Sequence, residues 1–217
     1  MSRVRIFSLL AITFCLVITP VEAEWTGVSV DIGETTTDLQ FETEQGSMRS
    51  DSLSFHIEEK SATDLRIGLS LGVSDIRTAN ILPSGNAQKF EGGYFGLYLR
   101  LPVQMGEYFS LEGLFSYRYN SASSSSSSLP GEIDWHDSRL QIGLGMKFQA
   151  LRVTPFIAYR NMRGDISNGI STELFDLVGS DSHGISFDFF LEPTAYIRFQ
   201  LSRGDEESGY LTFARVY

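Results

Sequence analysis

The sequence predicts an all-β chain that closes into a membrane-inserted antiparallel up-and-down barrel, of ten strands with eight as the alternative count. Three observations carry this expectation. The chain opens on an export signal, alternates with period two along nearly all that follows, and joins its alternating segments by turns that are short and long by rotation.

The export signal is residues 1–23. Arg3 and Arg5 form a short basic start, Ile6 to Pro20 are mostly apolar, and Val21-Glu22-Ala23 ends on a small residue as a processing site does. An apolar run of about 15 residues falls short of the roughly 20 that a helix needs to span a bilayer. Cys15 lies inside this run, so a mature chain of residues 24–217 has no thiol and no disulfide. That chain is read as a single barrel domain. The signal takes with it two arginines and one glutamate, leaving 15 basic and 26 acidic side chains, a net charge near −11. Such a balance excludes nucleic acid as a partner, because that partner demands a basic face.

Alternation is clearest in three stretches. Leu65, Ile67, Leu69, Leu71 and Val73 alternate with Arg66, Gly68, Ser70, Gly72 and Ser74. Leu140, Ile142, Leu144, Met146 and Phe148 alternate with Arg139, Gln141, Gly143, Gly145 and Lys147, and Ile197, Phe199 and Leu201 with Tyr196, Arg198, Gln200 and Ser202. Period two places the two sets on opposite faces of a sheet. The ten predicted strands cover 36–45, 51–60, 64–76, 89–103, 107–120, 135–149, 151–163, 182–192, 194–203 and 207–217. Short turns fall at 61–64, 104–107, 150–151 and 192–194, and longer polar connections near 77–88, 120–134 and 164–181. That rhythm matches a barrel with short periplasmic turns, long outer loops and both termini in the periplasm. Residues 24–33 are less regular. Val28, Val30 and Ile32 differ in parity from Leu39 and Phe41, which points either to a separate segment or, preferably, to a bulge near Gly33.

The polar set contains charges at mid-strand: Glu58, Arg66, Arg100, Glu112, Arg118, Arg139, Lys147, Arg160, Asp188 and Arg198. Mixed in sign, they suit a paired network inside a mostly occluded lumen, with a narrow pore for ions or small solutes as the alternative. Tyr94, Phe95, Tyr108, Phe109, Tyr117, Tyr119, Trp135, Tyr159 and Tyr196 cluster near predicted strand ends, where headgroup-level girdles would lie. The chain ends GYLTFARVY, with Leu211, Phe213 and Tyr217 on one face and Arg215 among them. Together, the signal, the alternation and this aromatic terminus resemble the small bacterial outer-membrane β-barrels of the OmpA/OmpX-like group. The resemblance implies a porin-like fold in the outer membrane, lipid and lipopolysaccharide as surroundings, a monomer, and Leu211, Phe213 and Tyr217 as the signal read by the barrel-assembly machinery.

Some such barrels are enzymes, including lipid A acyltransferases, lipid A deacylases, phospholipases and aspartate-histidine proteases, and the three histidines His56, His136 and His183 bound what catalytic parts this chain could hold. WHDS at 135–138 brings His136, Asp137 and Ser138 together, but adjacent strand residues face opposite ways and i, i+2 neighbours lie roughly 7 Å apart. DSHG at 181–184 offers one carboxylate and one histidine, too few for a metal. GDEE at 204–207 reads as an exposed acidic hairpin tip. No cofactor motif occurs. The expectation is a non-enzymatic barrel with a scaffold or surface-loop role, a lipid-modifying enzyme being the further alternative.

Overall fold

A computed structural model describes residues 26–42, 44–61, 64–79, 88–124, 131–167 and 172–217; the export signal expected at residues 1–23 lies outside them. The described residues form β1 (Thr26–Gln40), β2 (Gln45–Lys60), β3 (Arg66–Ala79), β4 (Gln88–Gln104), β5 (Phe109–Ser124), β6 (Glu132–Phe148), β7 (Leu151–Ser167), β8 (Thr172–Leu177), β9 (Asp181–Glu192), β10 (Ala195–Gly204) and β11 (Glu206–Val216). All pairings are antiparallel between sequence neighbours, except at β8, and β1 pairs with β11 from Gly27↔Val216 to Thr37↔Glu206 to close the sheet.

The barrel changes strand number along its axis. In the section that holds the termini, the lower part of β7 (Leu151–Tyr159) pairs with β9, so ten strands close the wall. The hairpins β9–β10 and β10–β11 are shorter than their neighbours and stop partway up. Above them β8 fills the notch, pairing with the upper part of β7 (Arg163–Ser167) and with Leu39–Gln40 of β1. The far section is therefore closed by eight strands. Both of the strand counts considered from sequence occur in one wall.

The two sections have opposite polarity. In the ten-stranded section the large apolar side chains point outward: Leu71 is 56% exposed, Leu97 48%, Ile142 47% and Ile157 67%. Water would make this contiguous surface costly, whereas lipid suits it. Farther along the same strands the outward positions become charged, as at Arg49 and Asp51, Asp75 and Arg77, Lys89 and Glu91. There the apolar side chains turn inward. Leu39, Met48, Ile76, Phe90, Ile133, Trp135, Met162, Ile166 and Phe175 form a buried cluster that fills the barrel at the far end. Each such side chain stabilises the fold by about 1.5–3 kcal/mol through removal from water.

This inversion explains residues 24–33 and corrects the bulge expected near Gly33. β1 is continuous, and its registers with β2 and β11 run unbroken through Gly33. Val28, Val30 and Ile32 hold the outward positions of β1, Ile32 exposed and Val28 and Val30 buried, while Leu39 and Phe41 belong to the far-end core, so the parity changes because the apolar side of the wall changes. The predicted strand 36–45 accordingly divides between the end of β1 at Gln40 and the start of β2 at Gln45, with the Phe41 N–H donating to the Glu44 carbonyl at 2.9 Å. Strands also run farther into the expected long connections, to Ala79, Ser124 and Ser167, and β8 arises within 164–181. The serine run joins the paired strands β5 and β6, with Ser123 opposite Glu132; residues 125–130 lie outside the described ones.

The aromatic girdle holds in part. Phe95, Tyr108, Phe109, Tyr117, Tyr119 and Tyr159 are exposed on the outer face. Tyr94 and Trp135 are buried inside the barrel, and Tyr196 lines the lumen. Tyr94, Tyr98 and Tyr210 lie across the wall over Gly72, Gly68 and Gly33, their registered partners, where any Cβ would collide with the ring.

The reversal of polarity makes opposite demands on two outward positions of one strand. Leu97→Arg places a charge in the belt and should cost about 2–4 kcal/mol. Glu91→Arg, on the same face beyond the belt, should stay within about 1 kcal/mol because only an exposed ion pair changes. Urea unfolding of each variant in lipid vesicles measures the difference.

Candidate functional site

The lumen is the site that the fold builds. Even-numbered positions of β2 to β5 and β7, and odd-numbered positions of β1 and β6, face it, so their side chains converge without any loop to hold them. Two layers of ion pairs cross it. Nearer the termini, Arg66 reaches Glu58 at 2.7 Å, and Arg100 approaches the same carboxylate at 3.8 Å. Beside them, Arg152 bridges Glu112 at 2.9 Å and Asp188, and Arg198 donates through Nε to Asp188 at 2.6 Å. Asp188 is fully buried.

The second layer lies deeper. Arg160 donates from Nε and Nη2 to the two oxygens of Asp137 at 2.9 and 3.0 Å, a forked pairing that fixes both groups. Its Nη1 also reaches Glu206 at 2.9 Å and the Thr37 hydroxyl at 3.0 Å. Arg118 donates to Asp137 at 2.9 Å, and Arg139 to Glu206 at 3.0 Å. Buried charges are tolerable only when paired and hydrogen-bonded, and here Glu58, Asp188, Asp137 and Glu206 each meet two guanidinium groups, and Glu112 meets that of Arg152. Beyond this layer the apolar core closes the far end.

Nine of the ten charges expected in the lumen are inside it. Lys147 is the exception: it is exposed near the termini, with Nζ 5.7 Å from the centre of the Phe190 ring. Five further members escaped the sequence reading, namely Asp31, His56, Asp137, Arg152 and Glu206. Glu206 corrects the view of GDEE as a wholly exposed tip. It is 4% exposed, because the β10–β11 hairpin turns below the rim, whereas Glu207 stays outside near Arg203. Parity was the available signal: Asp137 shares a face with Arg139, and Arg152 with Arg160.

The catalytic fragments are pulled apart. In WHDS, Asp137 points inward to its arginines, while His136 is outside, its Nδ1 2.6 Å from the Tyr117 hydroxyl. Ser138 hydrogen-bonds to the Asn161 carbonyl at 3.4 Å. In DSHG, His183 is exposed on β9, and Asp181 binds the Asp205 carboxylate through its backbone N–H at 2.9 Å. His56, 3.1 Å from Asp31, is the histidine that lies in the lumen. Among the described residues no three side chains of metal-ligating type come together.

Leu211 and Phe213 share the outer face of β11, the strand that closes the barrel against β1, and Tyr217 follows its last residue. Arg215 lies among them with its guanidinium 5.4 Å from the centre of the Tyr217 ring.

No family model matches the chain, and no curated protein matches it. Solved structures do. The outer membrane protease OmpT of Escherichia coli aligns with a TM-score of 0.51 at 8% identity, over 92% of this chain and 98% of that one. The translocator domain of the autotransporter NalP from Neisseria meningitidis gives 0.46 at 16% identity, over 99% and 95%. Ail, the attachment invasion locus protein of Yersinia pestis, gives 0.45 at 12% identity, over 88% and 97%. The fold is that of outer-membrane β-barrels. Likeness at these identities extends to fold alone.

The pairing predicts a sharp contrast among lumen variants. Asp137→Ala leaves Arg118 and Arg160 without their shared carboxylate and should destabilise the barrel by about 3–5 kcal/mol. Lys147→Ala should change stability by less than about 0.5 kcal/mol. Urea midpoints in detergent micelles compare the two.

Proposed function

We propose that the chain is an integral protein of the bacterial outer membrane with a non-enzymatic scaffold or surface-loop interaction role, akin to the OmpA/OmpX-like group. The observation that carries this reading is the filled interior. A continuous apolar belt surrounds a lumen crossed by two ion-pair layers and closed by a dry apolar core. Such a wall is suited to lipid, and such an interior gives solutes no through path. The far section then carries a polar exterior and the connections between β3 and β4, β5 and β6, and β7 and β8, where contact with partners is concentrated.

On this reading the termini are periplasmic, the protein works as a monomer amid lipid and lipopolysaccharide, and Leu211, Phe213 and Tyr217 are recognised by the assembly machinery. The separation of His136 and Ser138 from Asp137, and of His183 from the lumen, supports a role without catalysis.

Reconstitution into planar bilayers tests the occluded lumen. Folded protein, verified by heat-modifiable gel mobility, should give no discrete conductance steps. Reproducible steps would overturn this reading in favour of a narrow pore.

A further inference from the structure

Between the two ion-pair layers lies a cavity of about 140 Å³. Arg100, Arg118, Arg139 and Arg198 border it, together with His56 and Asp31. Arg139 is 7% exposed, and only its Nη1 is engaged, with Glu206; its Nε and Nη2 are buried with no hydrogen-bond partner. Donors of a permanently charged group are thus held buried at the wall of this cavity without a hydrogen-bond partner.

Charge arithmetic gives the same direction. Among the described residues, the lumen between its rims holds seven arginines: 66, 100, 118, 139, 152, 160 and 198. Six carboxylates answer them, those of Asp31, Glu58, Glu112, Asp137, Asp188 and Glu206. None of these side chains is more than 25% exposed. Over these arginines and carboxylates, His56 beside Asp31 left out of the count, one positive charge is left over. Isolated charge in such surroundings is strongly disfavoured. Water fits the space, since one molecule needs only about 10–15 Å³ of such a cavity. Neutral water satisfies hydrogen bonds but does not cancel a charge.

We propose that this cavity is a binding site for one small monovalent anion, a halide or a small carboxylate, held against Arg139. Access is from the end with the termini. A second cavity of about 200 Å³ there is bordered by Arg66, Arg152 and Phe190, and Arg100 and Tyr196 border both spaces. The opposite side is closed by the Asp137–Arg160 pair and the apolar core, so the site is a blind pocket and does not depend on the surface-loop reading.

Bromide is the probe. Crystals of the wild-type protein grown or soaked in bromide should show an anomalous peak in this cavity within contact distance of Arg139. In solution, bromide replacing gluconate at constant ionic strength should raise the unfolding midpoint saturably, followed by tryptophan fluorescence. Arg139→Gln equalises the charge count and leaves Glu206 bound to Arg160. It should weaken half-saturation by about tenfold or more. A cavity without an anomalous peak in crystals that bind bromide elsewhere would overturn the proposal, whether or not the variant folds. So would an identical bromide response in wild type and Arg139→Gln.

Discussion

A polypeptide crossing hydrocarbon must satisfy every backbone N–H and C=O within itself, and the pairing of β1 with β11 is where this chain does so. Without that seam two strand edges would lie open to lipid. β8 extends the same logic beyond the belt. The hairpins of β9 to β11 end early, and without β8 the upper edges of β7 and β1 would stand unpaired beside the apolar core. One short strand keeps that core dry and keeps the wall continuous.

Closure also fixes what the inside must be. In the proposed lipid section the outer face takes the apolar side chains, so the polar ones are confined to a narrow lumen. Their charges are stable there only because Asp137, Glu206, Asp188 and Glu58 are shared among several arginines. Past the belt the outer face meets water and the arrangement reverses. The buried cluster around Phe90 and Trp135 then does for the far section what the core does in a soluble barrel. A single wall thus has two solvents and two interiors.

Most of the fold was legible in the sequence because period-two alternation is strong wherever the belt lies, as in Leu65–Val73 and Leu140–Phe148. What escaped lies where the pattern changes phase. Leu39, Ile76, Ile133 and Met162 are apolar at positions of lumen parity, and a reading that assigns one apolar face per strand sees irregularity there. The same rule hid Glu206, since an acidic tetrapeptide at a turn gives no local sign that the hairpin ends below the rim. β8 was hidden by its length of six residues. Nine lumen charges could be named in advance, but not their partners, because pairing such as Arg139 with Glu206 depends on how β6 and β11 face each other across the closed barrel.

The claim that one wall changes solvent partway along is tested most directly by spin labels on the outward positions of β4. Residues 24–217 contain no cysteine, so in a chain of those residues single cysteines at positions 89, 91, 95, 97, 99 and 101 can each be labelled uniquely. In lipid vesicles, collision with oxygen should dominate at 95–101 and collision with a water-soluble nickel chelate at 89 and 91. Nickel access at all six positions, or oxygen dominance extending through 89, would contradict the account.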